Sequence, residues 1–153
     1  MKNMEVKFAS HCLYQIRYHQ VFCVKYRQDL FGNNEYRNYL KELIRNICER
    51  YWFSIDEIWT DVDHVHIFVG AAPKRSPSKI MQTLKSITAR YMFKKFPEIK
   101  KSLRGGEFWS DWWYIWTVWE WTNEDIVKRY IQKQWDEVER EQYKQLKLFS
   151  LRD

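Results

Sequence analysis

Two histidines one residue apart carry the first chemical signal in this chain. His64-Val65-His66 sits in "TDVDHVHIFVG", which reads as a strand. Residues two apart on a strand point to the same face. His64 and His66 therefore project together, with Phe68 beyond them, while Val65, Ile67 and Val69 face the opposite way. The spacing suits two imidazoles converging on one divalent cation, with positions left for a third ligand and a phosphate. The competing reading is a pair of half-exposed strand histidines, and the spacing alone does not separate the two. Further along, Tyr130 and Gln134 are spaced i, i+4, which is one face of a helix. A tyrosine hydroxyl can act as a nucleophile and form a covalent intermediate. A glutamine side-chain oxygen can ligate a hard cation. Read alone, Tyr130 is more readily a core aromatic and Gln134 a solvated surface residue.

These residues need elements to position them. Residues 13–27 alternate: Tyr14, Ile16, Tyr18, Phe22 and Val24 share one face, and Gln15, Arg17, His19, Cys23 and Lys25 the other. That predicts one long strand with a polar face. Turn residues around Gly32-Asn33-Asn34 follow, then an amphipathic helix over 36–51. Strands are expected over 52–60 and 62–71, paired as a hairpin across Asp61 to Asp63. Ser76 can cap a helix with Pro77 at its first position, running on to Pro97. "KKSLRGGE" reads as a basic loop, 108–119 as a fourth strand, and about 123 into the 140s as a last helix, with a tail from about 144 that continues it or frays. The order β-α-β-β-α-β-α is an α+β, split βαβ arrangement. It is ferredoxin-like or RRM-like, an antiparallel sheet flanked by helices, with an extra C-terminal helix bearing Tyr130. One domain over 1–153 suffices.

Composition bounds the function classes. The 153 residues are 45% hydrophobic and 30% charged, a globular balance, and the formal net charge of +6 suits a polyanionic partner. No apolar run approaches the ~20 residues that span a bilayer. The three cysteines, Cys12, Cys23 and Cys48, form no CxxC pair. Free thiols in a reducing, cytoplasmic setting are expected.

Taken together, "DHVHIFVG", "SPSKIMQTLKSITARYMFKKFPEIK", "GGEFWSD" and "NEDIVKRYIQKQ" stand in an order and spacing that resembles the small single-tyrosine transposases of bacterial and archaeal insertion sequences, members of the HUH endonuclease superfamily. The resemblance runs from about His11 to Gln134. It implies cleavage of single-stranded DNA at element ends, a 5′-phosphotyrosine intermediate and a free 3′-OH that later rejoins strands. Carried over by position, His64 and His66 match the metal pair, Gln134 the third ligand and Tyr130 the nucleophile. It also implies a homodimer in which the tyrosine helix completes the partner's active site, and a target made of a DNA hairpin beside a single-stranded cleavage sequence. Mg²⁺ prefers oxygen ligands and imidazole pairs tolerate Mn²⁺ better, so either ion is expected to work.

Three groups of cationic or polar residues are candidates for the DNA surface: Arg17, His19 and Lys25 on the polar strand face; Lys74, Arg75, Lys79 and Lys85 near the second helix; and Arg104 with its neighbouring lysines before the fourth strand. Each group alone also reads as a solvated charged face. Other readings are a host-recruited or inactive relative that binds or cuts repeated hairpins, and a non-catalytic RRM-like module. The RRM reading lacks an aromatic RNP1 signature, and a zinc hydrolase lacks a third strong ligand.

One departure from the family pattern stands out. Glycine averages roughly 7% of residues, yet the chain has 4, against 9 tryptophans. Trp112, Trp116, Trp119 and Trp121 stand where relatives hold glycines, with Trp52 and Trp59 as further candidates. Two accounts are open: a diverged copy, or glycine codons misstated as tryptophan (GGG and TGG differ by one base). Tryptophan would restrict the movement of the tyrosine helix that strand exchange requires.

Overall fold

The computed structural model describes residues 6–118. The expected final helix, with Tyr130 and Gln134, lies outside the described residues, as do Trp119, Trp121 and the tail.

The elements in chain order are β1 (Lys7–Ala9), β2 (Cys12–Tyr14), β3 (Tyr18–Val24), α1 (Asn34–Tyr51), β4 (Ser54–Thr60), β5 (His64–Gly70), α2 (Pro77–Lys95), α3 (Pro97–Ser102) and β6 (Trp109–Thr117). The main sheet runs β4-β5-β3-β6 and every pairing in it is antiparallel. Each helical crossover therefore skips one strand: β3 to β4 passes β5, and β5 to β6 passes β3. This is the expected ferredoxin-like topology, an α+β fold.

Burial places both long helices on one face. Leu40, Ile44 and Ile47 of α1 and Ile80, Met81, Leu84 and Met92 of α2 pack with Phe22, Val24, Ile58, Val65, Ile67, Val69 and Trp109 of the sheet. The i, i+3, i+4 spacing on the helices meets the i, i+2 spacing on the strands, which is what a two-layer core requires. Asn33 caps α1 by accepting from the Glu35 and Tyr36 amides, and Ser76 caps α2 by accepting from the Lys79 amide, with Pro77 opening the helix. Gln20 is the polar residue on the core side of β3; its amide donates to Pro77 O at 3.1 Å and ties the strand to the start of α2.

Three expectations change. The single long strand over 13–27 is two strands in two sheets: β2 pairs with β1 in a separate hairpin, and β3 joins the main sheet. The switch falls at Ile16 and Arg17, which crowd Gly70; a methyl there would sit 2.5 Å from Ile16 O. The strand also ends early, because Lys25–Arg27 turns into a short 3₁₀ segment in which Tyr26 and Arg27 adopt φ of 59° and 54°. Finally, the start of the expected basic loop, residues 100–102, belongs to a helix, α3, that opens at Pro97. Its Pro97 ends α2 and opens the next helix at the one position where a missing N–H costs nothing.

Trp52 closes α1 in the left-handed region, φ 60° and ψ 32°, and is 89% exposed. No helix among the described residues is long and apolar enough to cross a membrane.

Candidate active site

The sheet face turned away from α1 and α2 carries the histidine pair. Cross-strand register builds it in rows. Trp59, His66, Val21 and Tyr114 lie side by side across β4, β5, β3 and β6, and Glu57, Phe68, His19 and Trp116 form the next row. His64 pairs with Cys23 in a third. His64 and His66 share this face, as the alternation predicts. They are 5% and 7% exposed, so the alternative of half-exposed decorative histidines does not hold.

Burial imposes a demand, because a buried imidazole needs partners for its ring nitrogens. His64 Nδ1 lies 2.6 Å from Asp63 Oδ1. A carboxylate only accepts, so the Nδ1–H donates. Arg27 Nε donates to the other oxygen, Asp63 Oδ2, at 2.7 Å. Burial pushes the Asp63 carboxyl up, but the His64 hydrogen bond and the Arg27 guanidinium outweigh it and hold it below the usual carboxylate range. The backbone serves the same end: Val24 N donates to Asp63 O at 2.9 Å, and the positive-φ turn after β3 carries Arg27 to its partner.

His66 is held differently. Its Nδ1 lies 3.1 Å from His19 Nε2, and its ring stacks on Trp59 at 4.6 Å and 9°. The rings of His64 and His66 are 4.8 Å apart, centre to centre. With both Nδ1 atoms engaged by protein, Nε2 is the atom each histidine would offer a metal. A carboxylate or a second polar group on the far nitrogen is the usual outer arrangement of a metal-ligating histidine, so this donor set fits a divalent cation. Among the described residues no group of three or more His, Cys, Asp or Glu completes such a site. The third ligand expected from the sequence, Gln134, lies outside them, as does Tyr130.

The DNA-facing candidates divide. Lys74, Arg75 and Lys79 are exposed around the turn into α2, and Arg104 is exposed after α3. Lys79 also donates to Gln82 Oε1 at 3.2 Å, and the remaining candidates are held more firmly by the protein. Arg17 is buried with its Nε 2.6 Å from Asp56 Oδ2. Lys25 pairs with Glu107 at 3.1 Å and Asp111 at 3.4 Å; the Glu107 hydrogen bond raises its pKa. Lys85 donates to Ser110 O at 2.6 Å, and burial lowers its pKa. His19 is fully buried against His66 and Phe68. The sequence reading missed Asp63, Arg27 and Trp59. Asp63 was legible as the residue beside the histidine pair but read as a turn residue. Burial pushes the Cys48 thiol to about 12 and also raises that of Cys23, so neither is a ready nucleophile.

A ferredoxin-like sheet carries a buried histidine pair on the face turned away from α1 and α2, each ring held through Nδ1 by a protein partner. Comparison with known proteins identifies the family. Residues 12–134 match the family described as "Transposase IS200 like", and the chain belongs to that family of transposases. It is 34% identical over 133 residues to the ISDra2 transposase TnpA of Deinococcus radiodurans, covering 87% of this chain and 94% of that protein. It is 31% identical over 131 residues to the transposase for insertion sequence element IS200 of Salmonella typhimurium, covering 86% and 84%. A crystal structure of a Deinococcus radiodurans R1 protein assigned as a transposase superposes with a TM-score of 0.71 at 29% identity, over 84% of this chain and 97% of that one.

Proposed function

We propose that this transposase cuts and rejoins single-stranded DNA at insertion-sequence ends, with Tyr130 as nucleophile and His64, His66 and Gln134 holding a divalent cation, Mg²⁺ or Mn²⁺. The observation that carries the reading is the buried histidine pair, each ring oriented through Nδ1 by Asp63 or His19. Family membership supports it independently.

In the cleavage step Tyr130 Oη attacks the scissile phosphorus and gives up its proton. The Tyr–O–P bond forms as the P–O3′ bond breaks, and the departing 3′ oxygen takes up a proton to become a free 3′-OH. One phosphodiester is exchanged for another, so the energy of the ester is kept and a second 3′-OH can reverse the step. The bound cation would polarise the phosphate and offset charge building on its oxygens. His64 and His66 fix its place through rings that cannot rotate without breaking their outer hydrogen bonds. Lys74, Arg75, Lys79 and Arg104 are exposed and suited to phosphates, so they would give affinity that falls with salt. The substrate would be a hairpin beside a single-stranded cleavage sequence, and the active form a homodimer in which each tyrosine helix completes the partner's site.

The test is a single-stranded oligonucleotide carrying the element end, incubated with protein and Mg²⁺ or Mn²⁺ and resolved on a denaturing gel. A covalent protein–DNA band is expected, lost with EDTA and lost in Tyr130→Phe. The same adduct from Tyr130→Phe would show that the nucleophile is another residue.

A further inference from the structure

We propose that His19 is a positioning residue for His66. This rests on the reading of His66 as a ligand. A neutral imidazole that ligates through Nε2 carries its proton on Nδ1. His66 Nδ1 then donates to His19 Nε2, 3.1 Å away. The proton state of His19 follows, because its Nε2 must accept and its own proton must sit on Nδ1. One hydrogen bond therefore selects the tautomer of both rings.

The sheet is built to hold His19 in that role. Its backbone lies opposite Phe68 rather than His66, so the histidine contact is the diagonal one across β3 and β5. Phe68 stacks on the His19 ring at 4.4 Å and 17°, which fixes its plane and aims Nε2 along the diagonal. His19 has no exposed surface, so water does not take the place of this bond. The two ligands are consequently unequal. His64 is backed by the Asp63 carboxylate, which Arg27 also contacts, and His66 by the His19 imidazole.

The experiment measures Mn²⁺ binding to the metal-free full chain by electron paramagnetic resonance, with His19→Phe, His19→Gln and His66→Ala beside wild type. His19→Phe keeps the stack on Phe68 and removes the acceptor. It should weaken Mn²⁺ binding about 10- to 100-fold, and His19→Gln, whose Oε1 can accept, should recover most of the loss. In the metal-free protein, histidine ¹⁵N shifts should report the Nδ1–H form of His66 in wild type and His19→Gln but not in His19→Phe. Unchanged affinity in His19→Phe, with binding lost in His66→Ala, overturns the positioning role and leaves the ligand reading standing. Wild-type binding in His66→Ala overturns both.

A second inference rests on the backbone of Trp52. The left-handed position that closes a helix favours glycine, because any Cβ there meets the backbone. Trp52 occupies it at φ 60° and leaves its indole 89% exposed, with no burial to offset the strain. Trp109 is the contrast: 4% exposed, with Nε1 donating to Thr88 Oγ1 at 2.9 Å. We infer that position 52 is glycine in the protein as its own host makes it, and that its codon is UGA, which some genetic codes read as tryptophan and others as glycine. The same codon at Trp59, Trp112, Trp116, Trp119 and Trp121 would bring glycine close to the usual ~7%. One reassigned codon accounts for all of these positions, where point changes need a separate event at each. Glycine at 59 would also remove the indole that lies on His66. Sequencing the gene and mass-mapping the peptide made in its own host decides the matter. UGA at 52 with a glycine-bearing peptide is expected, beside UGG at 109; UGG at 52, or tryptophan in that peptide, overturns it.

Discussion

Replacing Trp52 with glycine should stabilise this protein, although it deletes the largest side chain in the repertoire. A non-glycine residue in the left-handed region costs roughly 1–2 kcal/mol. Against that, glycine enlarges the freedom of the unfolded chain, worth about 0.4–1 kcal/mol in the opposite direction. The indole itself contributes little, being 89% exposed. The balance is a gain of about 0.8 kcal/mol at the centre of a range from zero to about 1.6 kcal/mol. For a chain of this size that raises Tm by about 1–4 °C. Thermal melts and urea titrations followed by circular dichroism measure it, and the urea slope should stay constant because the surface exposed on unfolding barely changes. Trp52→Ala separates the causes: alanine removes the bulk but keeps the Cβ, so it should leave stability near wild type. If Trp52→Ala matched Trp52→Gly, bulk rather than φ would be responsible. If Trp52→Gly lost stability, the backbone argument would be wrong. Trp109→Gly, which empties a buried site, should lose about 3–5 kcal/mol.

Other outcomes follow from the site. Asp63→Asn should weaken Mn²⁺ binding about 10- to 100-fold, read by the same resonance titration. Its folded pKa lies below the ordinary 3.8, so the carboxylate adds stability above that value and the contribution fades as pH falls through the folded pKa; the wild-type stability curve should therefore drop in that acid range, while that of the Asn variant lacks this component. Lys74→Ala and Lys79→Ala should each flatten the salt dependence of single-stranded DNA binding by about 0.7 in the log–log slope. Lys85→Ala should leave that slope unchanged, since its ammonium is already given to Ser110 O.

The sequence showed the shared face of His64 and His66 because a two-residue period survives any choice of neighbouring strand. The same property concealed the break at Ile16 and Arg17. Alternation continues through both strands and carries no record of which sheet each belongs to; the close approach to Gly70 that marks the switch is a long-range contact. The capping pair Ser76-Pro77 was legible because its logic is local. α3 was not, since Pro97 serves equally as a stop for one helix and a start for the next. The charged residues divide on the same principle. Lys74 and Lys79 stayed exposed, whereas Arg17 and Lys25 met Asp56, Glu107 and Asp111 from distant parts of the chain. Tyr130 and Gln134 were legible only through their i, i+4 spacing and the family resemblance, and their roles rest on the experiments above.

His64 and His66 lie on β5 and His19 on β3, the two central strands of the main sheet. Central strands are hydrogen-bonded along both edges, so displacing the backbone beneath either imidazole means breaking two ladders. The metal half of the proposed site is thus fixed, with Asp63, Arg27 and His19 removing the remaining rotation of the rings. Under the proposed function strand exchange needs a nucleophile that changes partners, and the displacement would then come from the residues that join β6 to Tyr130. Glycines at 119 and 121 would leave φ free in that segment, and tryptophans would not. The identity of those residues therefore bears directly on turnover. A chain with tryptophan there should still form the first phosphotyrosine adduct, because cleavage needs only one arrangement of Tyr130. Joining, which needs a second arrangement, is the step that should fail and that glycine should restore.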